Sequence, residues 1–484
     1  MKILLLVFFS LTNIISLSKS EKLIFVELQS RHGARAPLNL FDGNKDILGE
    51  EWPNLGELTG IGQRMEYILG LRNRNRYIIN NNFLSKKFDP HEILVYSTAI
   101  NRTLLSMTSQ LQGLYPMSDN NIELLSEDQI NLSYPSIDYK CQEIEDEINK
   151  LGNITMPNSM NMIPIHMITT FEKKVAVYDH PDCKQIINQT FEKNKKEKES
   201  LKEINKKFSE KYSKNLSNFL DIPQDYVYEN IDDIEKICDA IIADKVEGKG
   251  MSEFIEKTKI NINELYEECI DIFGISFRDK IYGDDKKEVL LVEESMLLRE
   301  MIHYMKLRVN ADINGEKIEE NVSDYSKPKM VIISGHDTTV GAQILFIIEY
   351  FKLDKNFYKL PTFSAQVAFE VARADDVNGK LNYSDYYVKF YFNDDLLLNI
   401  TLDKFFDTIE KNLWNQKQID NFCSVEIKEG KEDNKIDLYL YLIIGISALI
   451  LILFIVIIIL VIKLNKKEDD DLNSLDSDKL YNDD

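Results

Sequence analysis

Three short stretches of this 484-residue chain gather residue types that can handle phosphate. They are Arg31-His32-Gly33-Ala34-Arg35-Ala36-Pro37, Ser97-Thr98-Ala99-Ile100-Asn101-Arg102 and Ser334-Gly335-His336-Asp337-Thr338-Thr339. A phosphoryl group in transfer spreads negative charge over its equatorial oxygens. Guanidinium forks match those oxygens two at a time and stay charged at any working pH. A neutral imidazole can attack phosphorus in line and become phosphohistidine. Nearby arginine charges favour that neutral form. A carboxylic acid can protonate the leaving oxygen and later, as carboxylate, draw a proton from water. The rest of such a reaction is positioning and electrostatics.

Each stretch follows an apolar run that reads as a buried strand, at 22–29, 92–97 and 329–334. In open α/β sheets, ligands bind beyond the carboxyl ends of the strands. Three parallel neighbours would therefore bring Arg31, Arg35, Arg102, His32, His336 and Asp337 to one mouth. Helices are expected at 58–71, with Thr59 as N-cap and Gly70 near the end, and after Asp337 through Phe351. Another is expected at 101–114, with Leu104, Leu105, Thr108, Leu111 and Leu114 on one face. The stretches 365–372 and 385–393 alternate, with Val367, Phe369 and Val371 on one face and Tyr386, Val388 and Phe390 on one face. With Asn378-Gly379 between them they predict an antiparallel hairpin. From 135 to 328 the character is mostly helical. The charge-dense 191–220 repeats Phe191, Leu201, Ile204, Phe208, Tyr212 and Leu216 at helical intervals and reads as a helix with a solvated face. A stripe of Met296, Leu297, Met301, Ile302 and Met305 marks 287–309 as a helix packed in a core.

These motifs resemble those of the histidine acid phosphatase family. RHGARAP is similar to its RHGxRxP signature and GHDTT to its HD signature. Gly56-Glu57-Leu58-Thr59 with Gly62, and STAINRTLLSM ahead of Gly113–Pro116, agree, so the resemblance covers about 22–425. It implies His32 as nucleophile and Asp337 as proton donor, with Arg31, Arg35, Arg102 and His336 binding phosphate and no metal or other cofactor. It implies an α/β fold: a phosphoglycerate-mutase-like mixed sheet flanked by helices, with an inserted, mostly helical cap. It implies an acid phosphatase acting on phosphate monoesters. Two variants of that reading are a phytase-like and a lysophosphatidate phosphatase; a catalytically weak binding ectodomain is a different class. The middle motif departs from the family's Arg-Ser-Thr-Asp-x-Asp-Arg: here it runs Tyr96 to Arg102, keeping the last arginine but with Tyr96, Ala99 and Asn101 in place of charges. Cys183 and Cys423 resemble the family disulfide that ties the cap side to the C-terminal segment. Cys238 resembles a second family cysteine without its usual partner, leaving Cys141 or Cys269 to pair with it.

The ends of the chain point to an extracytoplasmic protein. Lys2, the apolar run 3–9 and small residues Ser18 and Ser20 read as a signal peptide over 1–20. Residues 438–462 carry no charge; as a helix they would reach about 37 Å, enough to span a bilayer. Tyr439 and Tyr441 suit the interface, and Lys463, Lys466 and Lys467 mark the cytoplasmic side. The expected order is 1–20 leader, 21–134 first core part, 135–328 cap, 329–427 second core part, 428–437 stalk, 438–462 transmembrane helix and 463–484 acidic tail. Sequons at Asn131, Asn153, Asn188, Asn215, Asn321, Asn382 and Asn399 suit a glycosylated ectodomain in a lysosome-like vacuole or at the cell surface. Asn101 also heads a sequon but is expected to be buried beside the site. Five cysteines leave one thiol over. The net charge of −22 disfavours nucleic acid as a partner. The partners expected are a phosphate monoester and the membrane, with a homodimer left open.

Overall fold

The first apolar run forms strand β1, Glu21–Arg31, whose Phe25, Val26 and Leu28 are buried on both faces of a sheet. The computed structural model describes residues 21–38, 52, 54–116, 124–135, 141–157, 162–168, 183, 186, 187, 190, 199–220, 231–249, 251–282, 287–315, 327–375 and 380–424. The leader, stalk, membrane span and tail expected at 1–20, 428–437, 438–462 and 463–484 lie outside the described residues, as do Asn188, Asn321 and Asn378-Gly379. No helix among the described residues is long and apolar enough to cross a membrane.

Helix α1, Gly60–Arg74, opens on Thr59, whose hydroxyl accepts from the Gly62 amide. It runs past Gly70, because that glycine is a packing contact rather than a stop. A Cβ there would come within 1.9 Å of the Gln110 carbonyl oxygen. Strand β2, Ile93–Thr98, leads to helix α2, Asn101–Leu114. The buried face of α2 is Thr103, Ser106, Met107, Gln110, Leu111 and Leu114, whereas Leu105 and Thr108 face solvent. The expected leucine stripe is corrected by polar residues that point inward and find partners there: Ser106 takes the Gly33 amide and Thr103 bonds Thr98.

Two short helices, α3 (Glu127–Leu132) and α4 (Gln142–Leu151), and the short strand β3, His166–Ile168, follow. Helices α5 (Glu199–Leu220), α6 (Ile231–Glu247), α7 (Met251–Thr258) and α8 (Ile262–Tyr282) come next. They share an apolar cluster of their own that includes Phe208, Tyr212, Leu216, Ile237, Phe254 and Leu265. A disulfide between Cys238 and Cys269 joins α6 to α8, leaving Cys141 exposed and free. Helix α9, Glu288–Asn314, differs: its Leu298, Met301 and Met305 pack into the cluster that holds Phe25, Val331 and Phe369 of the sheet. Packing thus places α9 with the sheet, although it falls in the block expected as cap.

Strand β4, Met330–Gly335, feeds helix α10, Asp337–Tyr350. Strands β5 (Gln366–Ala374) and β6 (Tyr386–Phe392) form the expected antiparallel pair, and an unexpected edge strand, β7 (Asp395–Thr401), adds to it. Helices α11 (Leu402–Asn412) and α12 (Gln416–Cys423) close the described chain, and Cys423 bonds Cys183. The sheet order is β3-β2-β4-β1-β5-β6-β7. β1 and β2 both pair in parallel with β4, and β1 pairs antiparallel with β5, so the sheet is mixed. Helix α2, with Tyr77 and Ile78 from the segment after α1, covers one face, and α9, α10 and α11 the other.

Burial also leaves carboxyls inside. Glu27 of β1 is raised to about 8, by burial first, with Glu300 adding to it and a Gln343 hydrogen bond opposing it. Glu66 of α1 is likewise raised by burial to about 8. Glu294 of α9 is held far above the usual range by burial and by Glu293 and Glu27.

Candidate active site

The parallel trio β2-β4-β1 sets all three reactive stretches at one end of the sheet. β1 stays anchored to its last residue: the Arg31 amide donates to the Ala365 carbonyl and the His32 amide to the Gly335 carbonyl. The loop beyond is pinned against the start of α1. Thr59 donates to Ala34, Ala36 to Glu57, and the Gly33 amide to Ser106. Two glycines make this approach fit. A Cβ on Gly33 would lie 2.3 Å from the Gly62 carbonyl oxygen, and one on Gly62 would lie 2.1 Å from the Ala34 carbonyl oxygen.

His32 is buried, with its ring 5.6 Å from that of His336 and 5.9 Å from that of Phe363. Its Nδ1 lies 2.8 Å from the Gly33 carbonyl oxygen. A carbonyl can only accept, so Nδ1 carries the proton and Nε2 keeps a lone pair. Burial, then the charges of Arg31 and Arg35, hold this imidazole well below its ordinary range. That shift favours the neutral imidazole.

Arg31 and Arg35 come from β1 and its following loop, and Arg102 from the first turn of α2. Arg31 Nη2 is 2.9 Å from Asp337 Oδ2, and its Nη1 donates to the Pro361 carbonyl at 2.7 Å. Arg102 reaches the Gly56 carbonyl at 3.4 Å. The Nε–H of each of these three arginines is buried and has no acceptor among the described residues. Each guanidinium therefore keeps a donor edge that an anion could take.

Asp337 begins α10, and its Oδ1 accepts the Thr338 amide at 2.8 Å. Burial would raise its carboxyl, but Arg31, Arg35 and His336 outweigh burial and hold it below the usual range. His336 Nε2 meets Thr98 Oγ1 at 3.1 Å, which joins the second and third stretches directly. Burial, then Arg102, depress His336 to about 4. Asn101 is exposed, not buried as expected, and its amide donates to Glu57 beside Arg102. That bond still ties the start of α2 to the 56–59 segment where the middle motif lacks its usual charges. Among the described residues no three His, Cys, Asp or Glu side chains are grouped to hold a metal ion.

Two contributors carry no motif. The loop 361–365 closes over the first stretch: Phe363 lies against Arg31 at 4.4 Å, the Ser364 amide donates to the His32 carbonyl, and the Ser364 hydroxyl donates to buried Glu66. From the helical insertion, Asp239 of α6 receives both terminal nitrogens of Arg35, at 2.8 and 3.1 Å. The phenylalanine sits beside a turn, and the aspartate in an ordinary amphipathic helix, so neither had a local signal. His303 is exposed and His91 is half-buried beside Asp89, while His166, also exposed, pairs with Tyr96 at the edge of the second stretch. His180 lies outside the described residues. Asn131, Asn153, Asn215, Asn382 and Asn399 are all exposed.

Known proteins resemble this chain in sequence and in fold. The profile of the histidine phosphatase superfamily (branch 2) matches residues 22–393. Prostatic acid phosphatase of Bos taurus is 23% identical over 333 residues, 67% of this chain and 68% of that protein. Lysosomal acid phosphatase of Xenopus laevis is 39% identical over 105 residues, 21% of this chain and 23% of that protein. Among solved structures, the apo phytase of Hafnia alvei has the same fold, with a TM-score of 0.52 at 13% identity, covering 83% of this chain and 98% of that one.

Proposed function

This chain belongs to branch 2 of the histidine phosphatase superfamily, and we propose that it is an acid phosphatase hydrolysing phosphate monoesters through a phosphohistidine on His32. The observation that carries the residue assignment is the fixed tautomer of His32, which leaves Nε2 open on a ring that feels the charges of Arg31 and Arg35. In this reading the phosphoryl oxygens take the Nε–H donors of Arg31, Arg35 and Arg102, and His336. Asp337 loses part of its hold on Arg31 to the arriving anion, and the added negative charge raises its proton affinity. Nε2 forms a bond to phosphorus as the ester P–O bond breaks, and the leaving oxygen takes the proton from Asp337. Water then attacks the phosphohistidine and gives a proton to Asp337. The P–N bond breaks, neutral His32 returns, and phosphate leaves.

The names of the relatives favour an acid phosphatase over a phytase-like or lysophosphatidate enzyme. They also support a lysosomal or secreted location. On that reading 1–20 is a removed leader, 438–462 holds the protein in a membrane with 463–484 in the cytoplasm, and the exposed sequons carry glycans. The test is hydrolysis of a chromogenic phosphate monoester by the full chain, from acid to neutral pH with a chelator present, beside His32→Ala. Chelator-resistant activity that peaks in acid and is absent from the variant is expected. Equal activity in both proteins would overturn the assignment, and inactivity of folded wild type would favour a binding ectodomain.

A further inference from the structure

Arg35 uses its guanidinium unevenly. Nη1 and Nη2 form a fork on Asp239, Nη1 also donates to the Ala36 carbonyl at 3.0 Å, and the Nε edge remains for an anion. Asp239 is fully engaged, since its Oδ2 also accepts the Leu38 amide at 2.7 Å. It rides on a fixed element. Its neighbour Cys238 is bonded to Cys269, Asp244 of the same helix accepts from Trp52 at 2.9 Å, and Glu247 accepts from Thr59.

The charges around the phosphate position can then be counted. Arg31 is matched by Asp337 and Arg35 by Asp239, while among the described residues Arg102 has no ion pair; Glu57, which bonds Asn101 and also acts on Arg102, is left outside this inner set. Burial and the neighbouring arginines favour the neutral forms of His32 and His336. Tyr266 of α8, which also faces Arg31, lies above its ordinary range and is neutral. The inner set therefore carries close to one net positive charge. A phosphate monoester carries one negative charge below its second pKa of about 6 and two above it.

We propose that Asp239 sets which charge form of phosphate this site accepts: by matching Arg35 from the insertion, it fits the site to singly charged phosphate and against the doubly charged form. The inference rests on the phosphatase reading and gives it a substrate state. For a carboxylate separated from the phosphate by one guanidinium, taken as about 7 Å, and an effective dielectric of about 40, the charge is worth on the order of tenfold in affinity per unit of phosphate charge. Removing it favours the dianion over the monoanion by that factor. Any loosening of Arg35 would weaken the dianion more than the monoanion, the opposite direction, so a rise in the ratio reports the lost carboxylate itself.

The experiment is calorimetric titration of the full chain with inorganic phosphate at about pH 5 and about pH 8, for wild type, Asp239→Asn and Asp239→Glu. In Asp239→Asn, the affinity at the higher pH relative to the lower is expected to rise about tenfold. In Asp239→Glu it stays at or below the wild-type ratio whatever happens to the absolute affinity. An unchanged ratio in Asp239→Asn overturns the proposal and leaves Asp239 a structural contact. If Asp239→Asn loses its native melting transition, Asp239→Ser supplies the neutral side chain and the same ratio decides. Binding is read without turnover, so a chain that binds phosphate but hydrolyses no ester would refute the proposed activity and not this inference. Absence of phosphate binding by wild type at both pH values would refute the inference itself.

Discussion

Replacing Glu27 by glutamine should make the protein hold its stability as pH rises. Glu27 is wholly buried in the strand that ends at His32, and burial lifts its carboxyl to about 8 from an ordinary 4.5. Between those values the native chain keeps a proton that the unfolded chain has released. Each pH unit in that window therefore lowers the free energy of unfolding by about 1.4 kcal/mol. The sign follows from the raised pKa: the contribution is full below 4.5 and is lost as pH climbs toward 8. From pH 4.5 to 7.5 the wild type should lose about 4 kcal/mol through this one group. Glutamine cannot ionise, so Glu27→Gln removes the slope even if it costs a constant amount at every pH. Urea unfolding of both proteins at the two pH values gives the difference directly. The variant should gain on wild type by about 4 kcal/mol between them. A gap that is the same at both pH values would show that Glu27 carries no raised pKa, and that its burial costs nothing through ionisation.

Asp337→Asn should lower kcat by about 10²- to 10⁴-fold on an alkyl phosphate and far less on a nitrophenyl ester, whose leaving oxygen needs no proton; equal losses on both would deny Asp337 the donor role. Gly62→Ala forces a methyl against the Ala34 carbonyl and should destabilise by about 1–3 kcal/mol while weakening phosphate binding, because the displaced loop carries Arg35. A melting curve and a phosphate titration check both halves. Cys183→Ser should cost about 2–5 kcal/mol by freeing the C-terminal helix from the insertion side, measured by thermal unfolding under non-reducing conditions.

The strands and motifs were readable because β1, β2 and β4 are buried on both faces and end in residues with no other use for such density of charge. Their adjacency was not readable: β4 lies between β1 and β2 only because of pairing across more than two hundred residues. The inward face of α2 was misjudged because Ser106 and Gln110 are wanted inside for their hydrogen bonds, which hydrophobic periodicity does not register. Strand β7 was missed because neither of its faces is fully buried, so it lacks alternation. Asn101 was expected inside from its place beside Arg102, yet the first turn of a helix turns successive side chains through about 100° and leaves it at the rim. Asp239 and Phe363 belong to the site through tertiary contact alone, and no local pattern encodes that.

The position of β4 between β1 and β2 also constrains how the protein is made. A ribosome finishes β2 at Thr98 and does not deliver Met330 until the whole insertion has emerged. At about 5–20 residues per second, the two earlier strands wait roughly ten to fifty seconds for the strand that joins them. During that interval Phe25, Val26, Leu28 and Val95 have no sheet partner, while α5 to α8 can already assemble around their own apolar cluster. The nascent chain therefore passes through a stage in which the insertion is folded and the catalytic half is an open, sticky edge. Translation speed past residue 98 and the supply of a holding chaperone should govern yield more than the final stability does.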